Sequence, residues 1–132
     1  MKIGKQDESN RALAAYQIAN QQFGLGHYPQ AIVSYHAAIR LQPDAAQAYH
    51  GRGTAYAALR DFDLALRDAS QAIVLDPNYA LAYYLHGAVS YAIGNLEIAK
   101  INLALAADLF RKADQQNDYE KVAALLRNIE NN

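Results

Sequence analysis

IRLQPDAAQAY (residues 39–49) returns as IVLDPNYALAY (residues 73–83), 34 residues further along the chain. A fixed period of that length marks a chain built by stacking one small unit on copies of itself. Laid out on it, the sequence gives repeats at 12–45, 46–79 and 80–113, and further identities fall into line. Tyr49 aligns with Tyr83, Gly53 with Gly87, Gly26 with Gly94 and Pro43 with Pro77; Ala31 aligns with Ala65 and Ala99, and Ala38 with Ala72 and Ala106. Each has a physical reason to recur. Small residues at Ala19, Gly53 and Gly87, facing Ala31, Ala65 and Ala99, let two helices approach where larger side chains would hold them apart. Gly26 and Gly94 fall where a first helix must stop and the chain turn back, and Pro29 then suits the first turn of the next helix. Pro43 and Pro77 mark the following boundary, with Asp44 and Asn78 as candidate N-caps. The punctuation predicts an all-α chain of antiparallel helix pairs.

Beyond the third repeat, Tyr119, Val122, Ala123, Leu126 and Ile129 recur at helical spacing, with Glu120, Lys121, Arg127 and Asn128 between them. This predicts a seventh helix over about 118–130, after a polar turn at 114–118. An open stack leaves an apolar face at its end, and a terminal helix with a polar outer surface covers it.

The period of 34 and the residues Tyr49, Gly53, Tyr56, Ala65, Ala72 and Pro77 of the second repeat resemble the tetratricopeptide repeat over about residues 12–113. The resemblance implies a right-handed superhelical solenoid of three antiparallel helix pairs plus a C-terminal solvating helix, seven helices in all. It gives a flexible arm at 1–8 and one repeat domain at 9–131. The departures are specific. The first repeat has Ala15 where an aromatic belongs, the second has Ala69 in place of another, leaving a small site, and the third has Ser90 opposite Tyr56 and Arg111 where a Pro would end the helix. Arg52 stands where the family often has Leu, with Asp68 on the partner helix, a combination similar to a variant common in bacteria. An Arg52–Asp68 ion pair clamping that hairpin is expected, because a half-buried Arg without a partner is costly.

Composition narrows the function. The chain has 132 residues, 12 Lys and Arg against 13 Asp and Glu, and a formal net charge of −1, so no broad cationic face for nucleic acid or anionic lipid is expected. With no Cys, thiolate catalysis and Cys-ligated zinc are excluded. The N-terminal MKIGKQDESN has no apolar signal core, which predicts a cytoplasmic protein. Residues 77–96 carry no Asp, Glu, Lys or Arg and are long enough to cross a bilayer, but Pro77, Asn78, Gly87, Gly94 and Asn95 interrupt them, so no membrane insertion is expected. His27, His36, His50 and His86 are not spaced three or four apart, and no phosphate loop or nucleophile elbow occurs. No enzyme, metal or cofactor is expected.

In the resembled family the first helices of successive repeats line a concave surface that takes peptides or helices. Carried over by position, this puts Leu13, Tyr16, Gln17, Asn20 and Phe23, then Gln47, His50, Gly51 and Thr54, then Leu81, Tyr84, Leu85, Ala88 and Tyr91 on the groove. The set is aromatic and neutral. The family's chaperone-binding branch holds an acidic C-terminal tail with Lys, Asn and Arg, and the matching positions here are Tyr16, Asn20, Gly51, Leu81 and Leu85. Only Asn20 fits, which predicts that acidic chaperone tails are not bound. The groove instead suits a protein or peptide partner with apolar anchors, as an assembly or regulatory scaffold, with a homodimer through the apolar third-repeat helix as the other reading.

Overall fold

In the computed structural model residues 4–131 are described, and among them the chain forms seven helices and no strand. They are α1 (Lys5–Gly24), α2 (Tyr28–Leu41), α3 (Ala46–Ala58), α4 (Phe62–Leu75), α5 (Ala80–Ala92), α6 (Leu96–Lys112) and α7 (Gln116–Glu130). Consecutive helices pack on one another throughout the described residues, and α3 also touches α1 and α5, so α1, α3 and α5 form one layer of an α-helical repeat solenoid. No described helix is long and apolar enough to cross a membrane.

The turns show how one backbone path is kept by different residues. Gly26 and Gly94 take positive φ of 78° and 85° at the end of α1 and α5. The residue midway between them, Arg60, adopts the same conformation with φ 63°. There the frame of the repeat overrides a local cost of about 1 kcal/mol. The loops before α3 and α5 depart from the N-caps expected at Asp44 and Asn78. Ala45 and Tyr79 occupy the cap positions without a side-chain cap, and the Asp76 carboxylate instead accepts from the Asn78 backbone N–H at 3.1 Å. An Asx turn at the residue before Pro77 holds the loop, so the helix begins one residue late. Pro29 stands in the first turn of α2, and Tyr83 donates to the Pro77 carbonyl at 2.8 Å, tying α5 to its own leading loop.

The interior is built mainly from alanine. Ala19, Ala31, Ala38, Ala65, Ala72, Ala99 and Ala106 are all at most 2% exposed, as are Ala48, Ala55, Ala69 and Ala82. Side chains this short let helix axes close to the lower end of the usual 8–10 Å separation. Larger groups fill the remaining space where a glycine receives them. A Cβ on Gly87 would lie 2.7 Å from Leu103 Cγ, and one on Gly53 would lie 2.9 Å from Leu85 Cδ2. Both glycines are therefore close-approach points, and any side chain there would displace a neighbour.

Two junctions between repeats exchange bulk. On α2, Tyr35 is 3% exposed and its ring fills the space where Gly51 of α3 has no side chain. Sixteen residues separate them, and the equivalent pair one repeat later is Ala69 and Leu85. There the large residue sits on α5 and the small one on α4, and Leu85 joins Ala65, Ala69 and Val89 in one core cluster. The site that Ala69 leaves small is thus filled from the next repeat. Leu85, expected on the groove, is 6% exposed and belongs to the core for this reason.

At the C-terminal end, α7 starts at Gln116, inside the stretch expected to be a turn. The turn is shorter because Asp114 takes positive φ of 57° and reverses the chain at once. Val122 and Ile129 of α7 pack with Leu103, Ala107 and Phe110 of α6, while Gln116 and Glu120 face outward and bond to each other at 2.9 Å. At the N-terminal end, residues 5–8 of the expected arm form the first turn of α1, and residues 1–3 of it lie outside the described residues, as does Asn132.

Candidate functional site

The layer of α1, α3 and α5 carries two clefts that meet at Tyr16. The first, of about 320 Å³, lies between α1 and α3 and is lined by Ala12, Leu13, Tyr16, Asp44, Gln47 and Ala48 among others. The second, of about 190 Å³, continues toward α5 and is lined by Tyr16, Asn20, Phe23 and Tyr35 on one side and His50, Thr54, Tyr79 and Leu81 on the other. Of the residues expected on the groove, these two clefts bring together Leu13, Tyr16, Asn20, Phe23, Gln47, His50, Gly51, Thr54 and Leu81. Gln17, Tyr84, Ala88 and Tyr91 line neither. Tyr84 and Tyr91 are 36% and 39% exposed on α5, beyond the second cleft.

Helix geometry explains the placement. Leu13, Tyr16, Asn20 and Phe23 are three or four residues apart on α1 and so share one face. His50 and Thr54 do the same on α3, where the Thr54 hydroxyl donates to the His50 carbonyl at 2.8 Å. Tyr35 and Tyr79 enter the second cleft from α2 and from the cap position of α5. Assigning the groove to first helices alone passes over both. The available signal was Gly51, whose missing side chain leaves Tyr35 visible from the layer in front of it.

The rings are arranged in pairs. Tyr16 and Tyr35 have centroids 5.9 Å apart at 57°, and His50 and Tyr79 lie 5.4 Å apart at 57°. Phe23 meets Tyr28 edge-on at 5.2 Å. The Tyr35 hydroxyl donates to Asn20 Oδ1 at 2.5 Å. Burial pushes the Tyr35 and Tyr79 phenols up to about 12, with nearby tyrosine oxygens adding to it, and pushes the His50 imidazole down to about 4. At neutral pH these three rings are therefore uncharged.

Behind this layer, Arg52 makes a two-pronged contact with Asp68: Nε donates to Oδ2 at 2.9 Å and Nη2 to Oδ1 at 2.8 Å. The guanidinium carbon also lies 5.5 Å from the Tyr49 ring centroid and 6.0 Å from that of Tyr56. The Asp68 side chain is 4% exposed and that of Arg52 17%, so the one cation on α3 is held in the hairpin and does not face the clefts. Among the described residues no group of three His, Asp or Glu is placed to hold a metal. The clefts offer aromatic rings, aliphatic surface, hydroxyl and amide groups and the Asp44 carboxylate.

Family comparison agrees with this architecture. A model described as TPR repeat matches residues 19–59, and one described as Tetratricopeptide repeat matches residues 46–79. The chain is 36% identical over 80 residues to the Hsp70-Hsp90 organizing protein of wheat, Triticum aestivum, a match taking in 61% of this chain and 14% of that protein. Among solved structures, the TPR2B domain of yeast Sti1 in its pHsp70 complex superposes with a TM-score of 0.89 over 93% of this chain and 98% of that one, at 24% identity. The first TPR of Spaghetti (RPAP3), bound to the HSP90 peptide SRMEEVD, gives 0.76 over 90% and 95%, at 28% identity.

These structures overturn one expectation. Domains built like this one are found in complex with the chaperone segments that the chain was expected to refuse, one of them the acidic peptide SRMEEVD. The exclusion rested on five side chains. In the structure Leu85 is turned into the core and the space at Gly51 is taken by the Tyr35 ring, so the lack of charge at those two says nothing about what the groove accepts. The bacterial association drawn from Arg52 and Asp68 is not shown, since similar solved structures come from yeast and from Yersinia enterocolitica alike. The chain is a tetratricopeptide-repeat protein of about three repeats, a module for protein–protein interaction.

Proposed function

We propose that the layer of α1, α3 and α5 binds an extended segment of another protein, with apolar or aromatic side chains anchored in the two clefts. The observation that supports this is their continuity: Tyr16 is a wall of both, so one strand of peptide can place side chains in each. Alternate residues of an extended chain are about 6.5–7 Å apart on one face, the spacing at which neighbouring clefts are filled. Leu13 at 53% exposure and Leu81 at 39% stand at the two ends and gain most from being covered.

Acidic chaperone tails fall within this reading. The RPAP3 domain bound to SRMEEVD is 28% identical to this chain over 90% of it. Here the Gln42 and Gln47 amides of the first cleft are neutral donors available to a carboxylate.

The test is titration of SRMEEVD and of peptides selected from a random library, against the chain and its Leu13→Asp and Leu81→Asp variants. Both substitutions are at exposed positions and should leave the melting temperature within a few degrees. Each should weaken binding about tenfold or more by placing a charge where an apolar anchor sits. Undiminished binding in both, with loss on Val33→Asp or Val74→Asp instead, would move the site to the other face.

A further inference from the structure

We infer that the second cleft is a subsite for a cation, the ammonium or guanidinium of a Lys or Arg side chain on the bound segment, received by the ring pairs Tyr16–Tyr35 and His50–Tyr79. This rests on the groove reading above and adds what one of its two clefts selects.

The chemistry of the lining carries it. Three phenol rings and one imidazole border a space of about 190 Å³, and ring faces carry the negative end of the aromatic quadrupole. A cation within about 6 Å of such faces is attracted; an anion is repelled by the same faces. Neighbouring fixed charge has the same sign preference. Asp44 lines the adjoining cleft, and the Asp76 carboxylate is near enough to Tyr79 to raise its phenol pKa. No Lys or Arg lines either cleft, and Arg52, the one cation of α3, is held by Asp68 with its guanidinium carbon 5.5 Å and 6.0 Å from the Tyr49 and Tyr56 ring centroids. The depressed His50 keeps its ring neutral at physiological pH, so it adds no competing positive charge. Polar atoms at the rim suit the same guest: the tyrosine and Thr54 hydroxyls can accept from an ammonium. The chain already uses this contact within itself, at Arg52 and again where Arg60 lies 5.2 Å from the Phe62 centroid.

The competing occupant is an apolar side chain of the same shape, and a pair of isosteric probes separates them. Choline chloride and 3,3-dimethyl-1-butanol differ in charge and hardly in form. Each is titrated into the full chain while the amide and ring resonances of His50, Thr54 and Tyr79 are followed by NMR. Choline should saturate these shifts with a Kd about fivefold or more below that of the alcohol, the ratio expected of a partly desolvated cation on aromatic faces. Tyr79→Phe should keep the preference and Tyr79→Leu should lose most of it, with folding checked by melting. An alcohol that binds as well as choline, or choline shifts lying outside the second cleft, would overturn the inference. Were the library peptides still to depend on Leu13 and Leu81 in that case, the groove reading would stand and the subsite alone would fall.

Discussion

At the junction of the first and second repeats the bulk comes from behind: Tyr35 on α2 fills the space over Gly51, and its hydroxyl reaches Asn20 in the second cleft. At the junction of the second and third it comes from the front, where Leu85 on α5 packs on Ala69 of α4. The backbone frame is the same, yet only the first arrangement brings an aromatic ring and its hydroxyl to the layer where a ligand would lie. Turning the large residue inward at Leu85 seals the second junction. Which of two facing helices supplies the volume therefore decides whether an aromatic ring from the second helix reaches the cleft or the space closes as core. The middle repeat takes part in both junctions and, among the described residues, alone carries an ion pair between its two helices: positions equivalent to Arg52 and Asp68 are Ile18 and Ser34 in the first repeat, and His86 and Asn102 in the third.

That contrast can be broken in graded steps. Removing the acid of the middle repeat should cost most. Asp68→Ala leaves a largely buried guanidinium unpaired and should lower stability by about 3–5 kcal/mol in urea unfolding, while Arg52→Leu with Asp68→Ala should recover much of the loss. Emptying the sealed junction comes next: Leu85→Ala should cost about 3 kcal/mol, whereas Leu81→Ala, four residues earlier on the same helix but exposed, should stay within about 0.5 kcal/mol. At the open junction, Gly51→Ala should cost about 1–3 kcal/mol by forcing the Tyr35 ring aside, and Tyr35→Leu in the same chain should relieve part of it, a coupling that a double-mutant cycle reads directly.

The smallest effect is confined to acid. The folded-state pKa of His50 lies below its unfolded value, so the neutral ring contributes stability above pH 6.5 that is lost as pH falls toward about 4. Stability of the His50→Gln variant should fall less steeply over that range. Equal slopes would place His50 in water and weaken the account of the second cleft.

Most of the architecture was legible because the period fixes it. Gly26 and Gly94, Pro43 and Pro77, and the alanines at 31, 38, 65, 72, 99 and 106 recur for reasons of turn geometry and close approach that act within one repeat. What crosses from one repeat to the next was harder to read. Leu85 looks like a groove residue when its own helix is considered alone, and becomes core only when Ala69 is seen to leave the space behind it empty. Tyr35 is the converse case, a residue of a second helix that reaches the front because Gly51 lets it through. In both, a pair sixteen residues apart decides, large then small or small then large, and neither helix shows it alone. The loop before α5 was missed for a different reason: the Asp76 carboxylate accepts from the Asn78 backbone N–H and holds the loop, which leaves the cap position to Tyr79.

The most direct test of the central claim, that the layer of α1, α3 and α5 holds a partner's segment in two joined clefts, is amide shift mapping with a library-selected peptide. The account predicts that the largest changes cluster at Leu13, Tyr16, Asn20, His50 and Leu81, with Tyr84 and Tyr91 changing less. Largest changes at Val33, Val74 and Ile101, on the exposed faces of α2, α4 and α6, with the clefts undisturbed, would contradict it.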